Sequence, residues 1–421
     1  MNVTGIVAEY NPFHNGHLYH LTRARKDTGA DYIIVVLSGD FVQRGAPAIL
    51  DKYARTKMAL LGGADLVLEL PVCYAVSSAD YYAGGAATLL DRLGVVDCLS
   101  FGSEHGRIED LCGIAALSAH ETPAYSVALN HYMVEGKSFA YANMHALMDA
   151  CGDERLKAMI SSVLREPNNS LGISYIKTLM RRTSGIKPHT IFRAPARAGE
   201  SEGVFSAMKV RSDLMRTGDI RYLDDQVPDY VLKELMDNHG KTFPLTRNDF
   251  SDLLLYKLRS LLYYDDIEPL RHFETYQDVS RSTAARIAAC INQYENFKQF
   301  TGLLKTKNVT YASISRSMIH ILLDLKKDRM QEWVDNDYVP YARVLGFRES
   351  ATPLLSQIKK NSEIPLVTKI KDAASLLDPA SMKMLRSDIF ASELYEQIAA
   401  QKFSHPFRSE YTREIVICHD L

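Results

Sequence analysis

Tryptophan occurs once and cysteine only six times in this sequence, and the cysteines stand apart. Cys73, Cys98, Cys112, Cys151, Cys290 and Cys418 form no CxxC pair. That excludes a zinc ribbon, argues against a disulfide frame and fits thiols kept reduced, so no protein-built metal site is expected. No apolar run approaches the roughly 20 residues of a membrane-spanning helix. The opening stretch, MNVTGIVAEY, lacks the basic n-region of an export signal. A cytoplasmic protein with no membrane partner is the expectation. Charge of one sign is missing too: the formal net charge is −2, which excludes a uniformly basic nucleic-acid binder.

What is present suits an ordinary globular chain. Hydrophobic residues make up 46% and charged residues 24% of 421 positions, enough chain for about two or three domains. The runs VTGIVAEY (3–10), DYIIVVLSG (31–39), DLVLELP (65–71) and VVDCLSFG (95–102) are short, β-rich and almost continuously apolar, as parallel strands covered on both faces are. Segments of helical spacing, each with a glycine near its end, lie between them. The alternation predicts an α/β fold, a doubly wound parallel sheet whose ligands sit beyond the carboxyl ends of the strands.

From about 107 to 187 the pattern is helical. It reads as an insertion, because HTIFRA (189–194) has the character of a fifth strand. A polar stretch, RAGESEG (197–203), precedes the loop-to-helix segment FSAMKVRSDLMRTG. Beyond about 220 no strand alternation is evident. The division expected is a nucleotide-binding catalytic domain over 1–218 and an all-helical domain over 219–421. Within the latter, residues 281–330 carry nine Lys/Arg against three acids, a segregation suited to a polyanion. Tyr294, Phe297, Phe300 and Tyr311 lie in the same stretch as candidates for base stacking, although such spacing equally describes a helix core. Lys326 and Lys327 are its densest charge.

The chemistry concentrates in AEYNPFHNGHLYHL, residues 8–21. Pro12 ends the first strand, and Gly16 removes a side chain where backbone approaches a ligand. A helix starting near Gly16 and His17 is expected to leave its first N–H groups unpaired and its positive dipole end on the bend, a site for an anion. His14 and His17 add imidazole donors, with charge if protonated. Downstream, Ser206 suits a helix N-cap and Arg211 presents a guanidinium fork to phosphate. Asp40, Gln43, Arg44, Lys52 and Arg55 crowd polar groups after the second strand; Arg44 or Lys52 could neutralise a leaving anion. His105 is near the site without an evident partner, and His20 has the spacing of a packing residue. Asn168 reads as an N-cap or a ligand contact.

HNGH resembles the HxGH signature of the nucleotidyltransferase superfamily, and SAMKVR (206–211) its Ser-x-x-x-x-Arg motif. More closely, GIVAEYNPFHNGHLYHL, SGDFVQRGAPAILDKYART, GADLVLELP, LSFGSE, PNNSLGISYIKTL and the distal VLGF are similar to the bacterial tRNA(Met) cytidine acetate ligases. The resemblance implies that ATP activates acetate to acetyl-adenylate, which then acylates N4 of the wobble cytidine of elongator tRNA(Met). It also implies an ATP site lined by Val7, Ala8, Glu9, Tyr10, Asn11, Pro12, Phe13, His14, Asn15, Gly16 and His17, with Gly102, Asn168, Arg193 and Ser206. His14, His17 and Arg211 are the catalytic candidates, and Mg²⁺ would accompany ATP, held by phosphates and water. Two other readings stay open on the residues alone: an adenylyltransferase acting on a small coenzyme precursor, and a non-catalytic RNA-binding or ATP-sensing module.

Overall fold

The computed structural model describes residues 1–119, 122–193, 206–263 and 268–419; RAGESEG lies outside them. The strands are β1 (Val3–Ala8), β2 (Tyr32–Ser38), the small antiparallel pair β3 (Phe41–Val42) and β4 (Ala46–Pro47), β5 (Leu66–Leu70), β6 (Cys98–Ser103), β7 (Lys187–Phe192), β8 (Ala342–Arg348), β9 (Leu366–Val367) and β10 (Val416–Cys418). The main sheet runs in the order β10-β8-β5-β2-β1-β6-β7, with β9 paired to β8. Neighbours from β5 through β7 are parallel, whereas β8 is antiparallel to β5.

Alternate residues of the central strands feed opposite cores. On β2, Ile34 and Val36 join one apolar cluster, and Ile33, Val35 and Leu37 join the other. This two-sided burial is the reason the strands read as unbroken apolar runs. Helix Asn15–Thr28 stops where Gly29 adopts φ 64°, a left-handed C-cap. Five helices between β6 and β7, from Ile108–Ala119 to Pro167–Arg181, form the expected insertion. The last of these seats Gly172 against the Phe101 ring, where a Cβ would collide.

The distal half is mainly helical, but the expectation that it is all-helical is corrected in one respect. Residues 342–348, 366–367 and 416–418 return to the N-terminal sheet as β8, β9 and β10. VLGF lies inside β8, five of whose seven residues are buried. A short apolar run without alternation cannot be told from a buried helical segment by period alone. The aromatic stacking reading falls as well for three of its four rings, Tyr311 being the exception. Phe297 and Phe300 are completely buried, and the half-buried Tyr294 donates its hydroxyl to the Ser251 carbonyl at 2.8 Å. These rings are core.

The two halves are also joined by buried charge. The Lys52 ammonium, with no exposure, contacts Glu69 at 2.9 Å and Glu410 at 3.2 Å and donates to Ser392 Oγ at 2.7 Å. Arg343 on β8 pairs with the same two carboxylates, its Nη1 2.8 Å from Glu69. Lys52 is therefore a structural cation and not the anion-neutralising residue its position in the sequence suggests.

Candidate active site

The bend after β1 is built by a chain reversal and four anchors. Tyr10 takes φ 46°, the left-handed region, which costs a non-glycine residue about 1–3 kcal/mol and persists only where the surroundings impose it. The buried Arg55 guanidinium donates to the carbonyls of Glu9 (2.8 Å), Ser38 (2.8 Å) and Gly39 (2.5 Å), holding the ends of β1 and β2 together. Asn11 accepts the Ile49 N–H through Oδ1 at 2.8 Å, and its carbonyl accepts Arg211 Nη1 at 2.5 Å. Asn15 Nδ2 donates to the Asp225 carbonyl at 3.0 Å.

The spacing of the two histidines has a structural cause. His14 is the N-cap of helix Asn15–Thr28 and His17 is its N3 residue. His14 Nδ1 accepts the Gly16 N–H at 3.0 Å, and His17 Nδ1 accepts the His14 N–H at 3.2 Å. This is the reciprocal capping arrangement made with imidazoles. The rings stack with centroids 3.6 Å apart. The first helical N–H groups are consequently occupied: Asn15 donates to the Gln226 carbonyl, and His17 and Leu18 to that of His14. The expectation that unpaired backbone donors face the bend is thus corrected. Because each Nδ1 acts as an acceptor, each neutral ring carries its proton on Nε2, and those two N–H groups replace the backbone as donors.

Both rings are neutral. Burial, followed by Arg193 and Arg211, lowers His14 to about 3. Burial and then His14 hold His17 well below the ordinary imidazole value. The site is a set of neutral imidazole donors beside fixed guanidinium charge.

A cavity of about 620 Å³ opens over the carboxyl ends of β1, β6 and β7, within the usual range for a small-molecule site. It brings together Val7, Ala8, Glu9, Tyr10, Asn11, His14, Asn15, Gly16 and His17 with Gly102, Asn168 and Arg193. Phe101, Leu171, Tyr175 and Ile191 add apolar wall. A Cβ at Gly102 would meet protein atoms no closer than 3.9 Å, so protein packing does not require glycine there. Gly102→Val should therefore keep the melting temperature within a few degrees while weakening ATP binding at least tenfold by titration calorimetry. Unchanged affinity would remove Gly102 from the nucleotide contact set.

Residues 1–410 match the HIGH Nucleotidyl Transferase family model. The chain belongs to the HIGH nucleotidyl transferase family. It is 39% identical to the tRNA(Met) cytidine acetate ligase of Thermoanaerobacter sp. (strain X514) and 40% identical to that of Caldanaerobacter subterraneus subsp. tengcongensis. Each alignment covers 96% of this chain and 99% of the relative. The crystal structure of Thermotoga maritima TmcAL bound with alpha-thio ATP superimposes with a TM-score of 0.91 at 30% identity, covering 100% of both chains.

Several family-motif residues lie outside the cavity. Phe13 is fully buried against Tyr10, His17 and Tyr230, and neither it nor Pro12 lines the space. Ser206 caps helix Ala207–Thr217 by accepting the Lys209 N–H at 3.2 Å, and it is Ala207 that reaches the cavity wall. Arg211 faces an adjoining cavity instead. Asn168 is not an N-cap: Glu166 holds that position, and the Asn168 amide donates to Glu104 Oε1 at 2.5 Å. His105 has a partner in Asp110, at 2.8 Å. His20 lines the cavity and bonds Ser100 Oγ at 3.2 Å.

Gln43 and Arg44, from the polar cluster expected after the second strand, reach the cavity on the β3–β4 turn, whereas sequence motifs missed Tyr82 and Tyr175, which reach it from two helices. Nothing local marks the tyrosines; Arg44 carried the signal of a polar cluster after a strand. Among the distal basic residues, Lys326 Nζ lies 3.4 Å from the Tyr276 ring centroid and donates to Thr275 Oγ1 at 3.1 Å, and Lys327 donates to the Val279 carbonyl at 2.7 Å. Each lysine has a partner within the fold, so reversing its charge disturbs packing as well as any RNA contact. Lys298, Lys305, Lys307 and Arg329 remain exposed.

Proposed function

We infer that this chain is an ATP-dependent ligase that activates acetate and transfers the acetyl group to N4 of the wobble cytidine of elongator tRNA(Met). The observation that carries the reading is the stacked, doubly capped His14–His17 pair. It presents two neutral Nε2–H donors at the strand-end cavity of a chain 39–40% identical over nearly its whole length to ligases of that name.

In the first step an acetate oxygen attacks the α-phosphorus of ATP, and the bond to pyrophosphate breaks. His14 and His17 donate to the phosphoryl oxygens as negative charge shifts across them, and Arg193 lends fixed positive charge. This is catalysis by positioning and charge stabilisation. The apolar wall of Phe101, Leu171 and Ile191 suits an adenine ring. In the second step the cytidine amine attacks the acyl carbon, AMP leaves with the bonding pair, and the nitrogen sheds a proton to water. No protein nucleophile is required.

Mg²⁺ would travel with the nucleotide. Glu9 is the carboxylate among the cavity-lining residues, and among the described residues no group of three or more metal-ligating side chains occurs. That donor set fits a cation held chiefly by phosphate and water. The proximal part, 1–218, supplies the adenylate chamber and the mainly helical part, 219–421, holds the RNA. No helix among the described residues is long and apolar enough to cross a membrane; a cytoplasmic location belongs to the same proposal.

The test is incubation with ATP, labelled acetate and total bacterial tRNA, followed by nuclease digestion. Labelled N4-acetylcytidine is expected, with AMP and pyrophosphate as co-products. An adenylylated small molecule, or ATP binding without acetate-dependent pyrophosphate release, would replace this reading.

A further inference from the structure

A second cavity of about 510 Å³ adjoins the first, and both are lined by Glu9, Asn11 and Arg44. Its walls come from the β3–β4 pair, helix Ala207–Thr217, the turn at 245–248 and the starts of two distal helices. It joins the two halves of the chain at the point where the nucleotide chamber opens.

Its chemistry is unlike that of the first. Arg44, Arg211, Arg247 and Lys298 face it, with Glu9 as the acid among its lining residues. Arg247 is fixed: Nε donates to the Gly45 carbonyl (2.9 Å) and Ser315 Oγ (2.8 Å), and Nη2 to the Arg44 carbonyl (3.0 Å). Its guanidinium carbon lies 5.8 Å from the Tyr311 ring centroid. The exposed Lys298 stands at the start of its helix, whose entry is tied down by its own N–H bonding Asn248 Oδ1 at 3.0 Å. Most of the remaining wall is apolar, including Val42, Ile49, Met215 and Leu245, with Asn11, Thr246 and Asn248 as its uncharged polar groups.

Four cations call for an anion, and the apolar wall with one aromatic ring calls for something flat and uncharged beside it. Inorganic pyrophosphate satisfies only the first demand. A nucleotide within a polynucleotide satisfies both: its base fills an apolar slot beside an arginine–tyrosine platform, and its flanking phosphates meet Lys298 and Arg44. An amine on a stacked base cannot reach a buried adenylate, so the reacting nucleotide must leave its stack.

We propose that this second cavity is the acceptor-nucleotide subsite, taking the extruded cytidine between the β3–β4 pair and Tyr311 so that its exocyclic amine points past Glu9 and Asn11 into the adenylate chamber. The assignment rests on the functional reading above and extends it to a place and a set of residues.

Full-length Lys298→Ala, Tyr311→Ala and the double variant test it, because neither side chain lines the first cavity. Two activities are read: acetate-dependent ATP–pyrophosphate exchange, and acetylation of an elongator tRNA(Met) transcript across a salt series. Exchange is expected to stay within twofold. The KM for tRNA should rise at least tenfold in the double variant, and the salt slope should fall by about one in Lys298→Ala. Equal loss of exchange and transfer would assign the cavity to pyrophosphate. Unchanged transfer kinetics would place the cytidine elsewhere. If the unsubstituted protein exchanges pyrophosphate yet acetylates no tRNA, the functional reading fails, a result distinct from either.

Discussion

His17→Ala should leave a folded protein whose acetate-dependent ATP–pyrophosphate exchange has fallen by about a hundredfold to a thousandfold, the usual loss when one preorganised donor to a developing charge is removed. The structural cost is small by comparison. His17 Nδ1 caps the His14 N–H, and losing such a cap costs about 1 kcal/mol, too little to unfold a chain of this size. Thermal melting and near-UV circular dichroism check the fold while exchange reads the chemistry. Exchange within tenfold of the parent would show that the pair only caps a helix. The same substitution has a pH signature. His14 titrates near 3 in the folded state, below the unfolded imidazole value near 6.5, and His17 is lowered also. The unfolded chain then binds more protons than the native one across that interval, so stability falls as pH drops below about 6.5. Each such imidazole contributes a slope of up to about 1.4 kcal/mol per pH unit. His17→Ala should flatten the slope by one imidazole's share, seen as a smaller loss of melting temperature between pH 6.5 and 5.

The site was legible wherever a local pattern carries its own mechanism. Pro12, Gly16 and the i, i+3 histidines mark a strand end, a turn and a helix start within a few residues, and four of the five parallel strands announce themselves through two-sided burial, the exception being the edge strand β7. What the sequence hid was set chiefly by distance along the chain. The Gly16 N–H read as free because an imidazole is an uncommon cap, and the Asn15 N–H because its partner is the Gln226 carbonyl, more than two hundred residues away. Lys52 read as a functional cation for the same reason: one of its carboxylate partners is Glu410. Strand β8 has no alternation because it is covered on both faces, and it enters the sheet against β5 with reversed direction, which no local period encodes. Two of the cavity's four tyrosines, Tyr82 and Tyr175, sit on helices whose apolar spacing is that of ordinary core.

The same long-range pairing yields the second large effect, on stability. Glu410→Ala should lower the unfolding free energy by about 3–5 kcal/mol, the cost of leaving a buried cation without its partner. Glu410 is 5% exposed and serves both Lys52 and Arg343, as well as accepting the Tyr53 hydroxyl at 3.2 Å. Its removal leaves two buried cations sharing Glu69, with Asp40 4.0 Å from Lys52 as the next carboxylate. Burial alone would raise the Glu410 carboxyl, but Lys52 and Arg343 reverse that and hold it at about 2. With the folded value depressed below an unfolded one near 4.5, the carboxylate's contribution is complete above pH 4.5 and is lost as pH falls toward 2. Urea denaturation should therefore show the full deficit of the variant at pH 7 and a narrowing gap below about pH 4.5. The damage should also be local before it is global. Glu410 fixes the segment that delivers Val416–Cys418 to β8, so amide exchange across β10 should quicken in the variant while β1 and β2, buried at the sheet centre, stay protected. An unchanged urea midpoint at pH 7 would mean that solvent reaches the cluster and screens the two cations. The C-terminal strand would then be held by its ladder alone.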